Sequence, residues 1–144
     1  MKNTILYLSI LCIVLASSCN VSKKAAKIPE KVQDPYMTFD NPNHDFGTIK
    51  AGEQKTHIYT FTNTHKSDIT LELVSGCDCT TLIYDEGKTY KPGEQGTIKA
   101  TFDSNKEEER GELNKTIDIL LANVNPETGY QIIKEVRYKL DLVD

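Results

Sequence analysis

The sequence predicts an all-β domain, an immunoglobulin-like β-sandwich of about seven antiparallel strands over residues 36–144. Three observations carry this expectation. Beyond Pro35, short runs alternate apolar and polar residues with a period of two, the mark of a strand with one buried and one wet face. Those runs are rich in Thr, Ile, Tyr, Val and Phe, which strands favour, and none carries a sustained 3.6-residue period with helix caps. Turn residues separate them at the rhythm of a sandwich of about 100 residues. A small barrel is the structural alternative.

Taken in order, "HIYTFTN" (57–63) puts Tyr59 and Phe61 on one side and Ile58 and Thr60 on the other. "ITLELV" (69–74) aligns Ile69, Leu71 and Leu73 on one face, and "GTIKATFD" (96–103) aligns Ile98, Ala100 and Phe102. "KTIDILL" (115–121) places Ile117, Ile119 and Leu121 together, and the last run aligns Val136, Tyr138, Leu140 and Leu142. In "KPGE" (91–94), Pro92 fixes φ and Gly93 permits positive φ, as a type II turn requires. "NPETG" (125–129) reads as a hairpin loop and the charged "NKEEERGE" (105–112) as a solvated one.

Ahead of the domain, Lys2 precedes an apolar run at residues 5–16. A membrane span needs about 20 residues, so this run fits the core of a secretory signal, and small Ala16, Ser17 and Ser18 follow it. Cys19 comes next. The pattern resembles a lipoprotein cleavage site, with Ala16 standing where Leu is usual. The expectation is a signal peptide at 1–18, a lipidated Cys19 and a flexible tether through 35. Several acyl chains hold a protein on a membrane where one does not. Asn20 differs from the aspartate of inner-membrane retention, and Lys23 and Lys24 differ from an acidic export cluster. The expected location is the outer membrane, facing the periplasm.

The net charge of −4 and a pI near 5.4 oppose a nucleic-acid partner, because phosphate binding draws on a basic face. The three histidines, His44, His57 and His65, form no zinc-ligand spacing, and no nucleophile elbow or phosphate loop is present. The run from Asp103 to Asn114 begins like a calcium loop. It has Glu108 where that loop needs Gly and Asn114 where it needs Glu. No enzyme activity and no cofactor is expected.

The cysteines narrow the chemistry. With Cys12 in the signal and Cys19 acylated, Cys77 and Cys79 are the two thiols left in an oxidising compartment. In an extended strand their Cα atoms would lie about 6.5–7 Å apart, at the limit for a disulfide, so a bend at Asp78 is required to join them. Four states stay open: a structural disulfide, buried thiols, a redox pair, or a soft-metal site such as Cu(I). In the metal case His57 would be the added ligand.

"HDFGTIKAGE", "YTFTNT", "CDCT", "PGEQGTIKATFD", "GELNKTI" and Asn123 occur in an order and spacing that resembles the bacterial family catalogued as domain of unknown function fifteen-seventy-three. The likeness covers nearly all of the chain from about residue 38. Asp78 stands where that family usually has Gly, and His65 where Gly usually follows Asn-Thr. The resemblance implies an exported immunoglobulin-like fold, often lipid-anchored, akin to the assembly modules of ciliary and sperm proteins. It implies no known reaction. The function expected is a non-catalytic, lipid-anchored binding or scaffolding module with an envelope protein as partner. The alternative is a thiol-redox or copper-handling lipoprotein using Cys77 and Cys79.

Overall fold

A computed structural model describes residues 34–144. The expected signal peptide, Cys19 and all but the end of the tether lie outside the described residues. Nine strands appear in chain order: β1 (Met37–Phe39), β2 (Asn43–Lys50), β3 (Gln54–Asn63), β4 (Ile69–Ser75), β5 (Thr80–Ile83), β6 (Thr89–Tyr90), β7 (Gln95–Asp103), β8 (Gly111–Val124) and β9 (Gln131–Val143). One 3-10 turn, Ser104–Lys106, follows β7.

The strands form two sheets, ordered β1-β3-β7-β5 and β2-β9-β8-β4-β6. The first order is that of one immunoglobulin sheet, and β9-β8-β4 is that of its partner. The sequence expectation of a sandwich is met, with two differences. Three strands are short, which raises the number above seven. The pair β2–β9 is parallel, matching Asn43 to Arg137 and Lys50 to Val143, while the other pairs are antiparallel. The chain leaves the first sheet after Phe39 and joins the second at Asn43, so the N-terminal strand is divided between them.

Alternation placed most of the core. Tyr59, Phe61, Ile98, Phe102, Ile117, Ile119, Leu121, Val136 and Tyr138 are all buried between the sheets. Among the described residues the buried core runs from Met37 to Leu142. One expectation needs correction. Leu73 is 46% exposed, and Val74 is buried in its place. A register shift between Leu71 and Leu73 in the pairing of β4 with β8 is the cause: an extra residue turns every later side chain to the other face.

The turns follow their residues. Gly93 has φ 80, and Glu94 N–H donates to the Lys91 carbonyl at 2.9 Å, the turn that Pro92-Gly93 called for. At the hairpin, Gly129 N–H donates to the Asn125 carbonyl and Asn125 N–H to the Tyr130 carbonyl, both at 2.8 Å. Gly96 answers a packing need instead. A Cβ there would lie 2.3 Å from Phe61 Cζ and 2.5 Å from Tyr90 Cε1, so only a bare backbone fits under that aromatic pair.

Candidate functional site

The link between β4 and β5 carries Cys77, Asp78 and Cys79. Thr80 N–H donates to the Cys77 carbonyl at 2.9 Å, which closes a tight turn with Asp78 and Cys79 at its centre. The turn draws the two Cα atoms to 5.1 Å, inside the range a disulfide tolerates, and the structure joins the two sulfurs. Asp78 points outward, Cys77 is half-buried and Cys79 is buried. The Cys79 carbonyl accepts from Asp103 N–H at 2.9 Å, tying the turn to the end of β7.

The turn meets the opposite sheet at Tyr138 of β9. Its hydroxyl is hydrogen-bonded to Thr80 Oγ1 and lies 3.8 Å from Cys77 Sγ and 3.9 Å from Cys79 Sγ. Thr80 Oγ1 is itself 3.2 Å from Cys77 Sγ. Burial pushes the Tyr138 phenol above its ordinary value and outweighs the Thr80 bond, which lowers it, so the ring stays neutral and serves as a hydrogen-bonding post. Phe46 and Phe102 pack on Tyr138, with centroids at 5.3 and 6.0 Å. The cysteine turn is thus the lid over one end of the core.

His57 does not reach this turn. Its ring stacks on His44 of β2, centroids 3.7 Å apart and planes 9° from parallel, and meets Tyr59 edge-on at 4.6 Å. Burial, and then the nearby His44, holds the His57 imidazole below its ordinary value. Among the described residues no group of three or more His, Cys, Asp or Glu is placed to hold a metal ion. His65 lies elsewhere, stacked on Tyr36 at 4.6 Å.

Three polar residues of the motifs, Asn63, Asn123 and Asp45, bond the backbone. Asn63 is 1% exposed. Its Nδ2 donates to the carbonyls of Ser67 at 3.1 Å and Tyr90 at 2.8 Å, and its Oδ1 accepts from His65 N–H at 2.8 Å. Asn123 accepts from Thr70 N–H at 3.0 Å and donates to the Asp68 carbonyl at 2.9 Å. Asp45 accepts from Gly47 N–H at 2.8 Å, where Gly47 has φ 66. That bond, and the Lys139 ammonium, hold the Asp45 carboxyl below its ordinary value. The roles of Asn63 and Asn123 escaped sequence reasoning, although both stood inside quoted motifs. An asparagine closing an apolar strand is the signal that was available.

The profile of a known family matches residues 37–136. The chain belongs to the DUF1573 family, described as a protein of unknown function. No curated protein sequence matches it. Among solved structures, this DUF1573 domain is similar to a protein of unknown function from Porphyromonas gingivalis W83, at 19% identity and TM-score 0.59, covering 74% of this chain and 46% of that one. It is similar to the VesB protease of Vibrio cholerae at 14% identity and TM-score 0.56, covering 74% of this chain and 32% of that one. The chain therefore spans about a third to a half of those two proteins. It is also similar to the ASH/PapD-like domain 7 of human CEP192, at 11% identity and TM-score 0.51, covering 78% of this chain and 89% of that one. At these identities the likeness of the DUF1573 domain to each is one of fold.

Proposed function

We propose that this chain is a non-catalytic binding or scaffolding module of the bacterial cell envelope, held on the outer membrane by lipid on Cys19 and facing the periplasm. One observation carries the non-catalytic part. Four polar residues of the motifs are committed to the fold: Asn63, Asn123 and Asp45 bond the chain's own backbone, and Thr80 bonds Tyr138 over the joined cysteines. The PapD-like domain of human CEP192, and the periplasmic chaperone SfaE at 9% identity and TM-score 0.51, support the same reading at the level of fold.

A partner protein would be met at a free sheet edge, where unpaired backbone groups accept an added strand. The first half of β9 offers one. Its pairing with β2 begins at Arg137, so residues 131–136 pair with β8 alone among the described residues.

The test has two arms in whole cells. Cys19→Ala is expected to move the chain from the membrane to the soluble fraction; retention on the membrane would overturn the anchor. A photo-crosslinking residue at position 133 is expected to capture an envelope protein, in wild type and in the Cys77→Ser/Cys79→Ser double variant alike. The double variant should lose only stability, about 2–5 kcal/mol, in a denaturant titration. Capture abolished in a double variant that remains folded would point to thiol chemistry instead.

A further inference from the structure

We propose that the first half of β2, residues 43–46, is an acid-released clasp: charging the stacked imidazoles of His44 and His57 frees it from β9 and lengthens the edge open to a partner strand. What the edge is for rests on the envelope-module reading; the clasp itself does not. β2 is the outermost strand of its sheet, and Ile49 is its one buried residue. Its ladder with β9 comes in two pieces. Residues 43–45 lie beside 137–139 and residues 48–50 beside 141–143, with a register shift between them. Gly47 sits in that gap with φ 66, a backbone state that glycine adopts without strain, so the gap is a ready hinge. The second piece is fixed, with Ile49 in the core and Ala51 N–H donating to the Val143 carbonyl at 2.8 Å. On the other side, β1 is fixed by its pairing with β3.

Between these two fixtures the first piece is held by little. It has its short ladder, the bond from Arg137 N–H to the Pro42 carbonyl at 2.8 Å, the exposed Asp45–Lys139 pair at 3.1 Å, and two rings. Edge segments with few buried contacts open locally at far less cost than the whole domain unfolds. The rings make the clasp. His44 of one sheet stacks on His57 of the other at 3.7 Å and meets Phe46 edge-on at 4.5 Å. Phe46 packs in turn on Tyr138. Among the described residues no hydrogen bond or ion pair reaches either imidazole.

Two neutral rings stack well, but two charged rings so close repel each other. The surrounding charges are already engaged. On β2, Asp45 accepts from Gly47 N–H and pairs with Lys139 of β9. Arg137 of β9 pairs with Glu135, and Lys55 of β3 with Glu53. β7 sets Ala100 opposite His57, with Lys99 beside it. Tyr59 and Tyr138 stay neutral, because burial holds each phenol above its ordinary value. Once released, each imidazole stands in water and takes its proton near the ordinary histidine value of about 6.5. Packed, His57 is held lower by burial and then by His44. The open form therefore binds more protons, and falling pH favours it. Opening bares residues 137–139 of β9. Since 131–136 pair with β8 alone among the described residues, the free edge grows to 131–139.

The test is hydrogen exchange read by mass spectrometry on the full chain, purified in detergent, at pH 7.5 and 5.5 with labelling times scaled to the intrinsic rates. Peptides covering 41–46 and 137–139 are expected to lose about fivefold in protection on acidification. In His44→Gln and in His57→Gln the same peptides should change by less than about twofold, whatever their starting protection. Low urea should leave the acid-induced exchange unaltered, because a local opening exposes little surface. Equal protection at both pH values would overturn the proposal. So would a loss that persists in both variants, or one that grows with urea in step with peptides from β8, which marks global unfolding. No partner enters this measurement, so its failure leaves the envelope-module reading standing. Failed capture at position 133 would leave the clasp standing in turn.

Discussion

At the scale of single residues, Asn63 is the clearest fixture. It is buried and bonds three backbone groups, two in the loop between β3 and β4 and one at the end of β6. Asn63→Ala strands those groups away from water, and each buried unsatisfied group costs about 1–3 kcal/mol. The expected loss is about 2–4 kcal/mol in a urea titration, with the fold retained. Loss below about 0.5 kcal/mol would mean that water replaces the amide. His57 makes a pH prediction. Its folded value is lowered by burial and by His44, so the unfolded chain binds the more protons as pH falls below about 6.5. Its contribution to stability is present above that pH and is lost as pH falls toward the folded value. Denaturation midpoints from pH 7.5 to 5.5 should fall in the wild type and fall less in His57→Gln. Parallel slopes would refute the assignment.

At the scale of elements, alternation made β3, β4, β7, β8 and β9 legible because each has one face in the core and one in water, whereas the eight-residue β2, with only Ile49 buried, escaped. Ile117, Ile119 and Leu121, or Val136, Tyr138, Leu140 and Leu142, could be read without a structure. The short strands β1, β5 and β6 escaped because two to four residues carry no period. The shift in β4 escaped for a different reason. "ITLELV" satisfies the alternating pattern up to Leu73, and only the pairing with β8 shows that the chain changes face there. The cysteine bend was legible, since an extended chain holds i and i+2 too far apart. The post it meets, Tyr138, was not, because that contact joins residues separated by 58 or more positions. The shift predicts an asymmetry between neighbours. Val74→Ala should cost about 1–3 kcal/mol as a cavity in the core, whereas Leu73→Ala should stay within about 0.5 kcal/mol. Equal losses in thermal unfolding would mean that Leu73 is packed.

At the scale of the molecule, both sheets contribute to one continuous core, and cross-sheet bonds lock them. Tyr59 of β3 donates its hydroxyl to the Arg137 carbonyl of β9 at 2.9 Å, and Thr80 of β5 bonds Tyr138 of β9. A structure so joined should unfold as a unit. Far-ultraviolet and tyrosine near-ultraviolet signals of the domain 34–144 should follow one transition; separate midpoints would mean that one sheet outlives the other. Refolding is expected to be slow for this size, because most pairings join distant parts of the chain, as β1–β3 and β2–β9 do.

The division of the N-terminal strand has a mechanical consequence. β2 and β9 run side by side in the same direction, one near the start of the domain and the other at its end. Tension applied between the two ends therefore loads their shared ladder in shear, and its hydrogen bonds resist together. Pulled between its two ends, the domain would meet the force along this ladder rather than having it peeled open pair by pair.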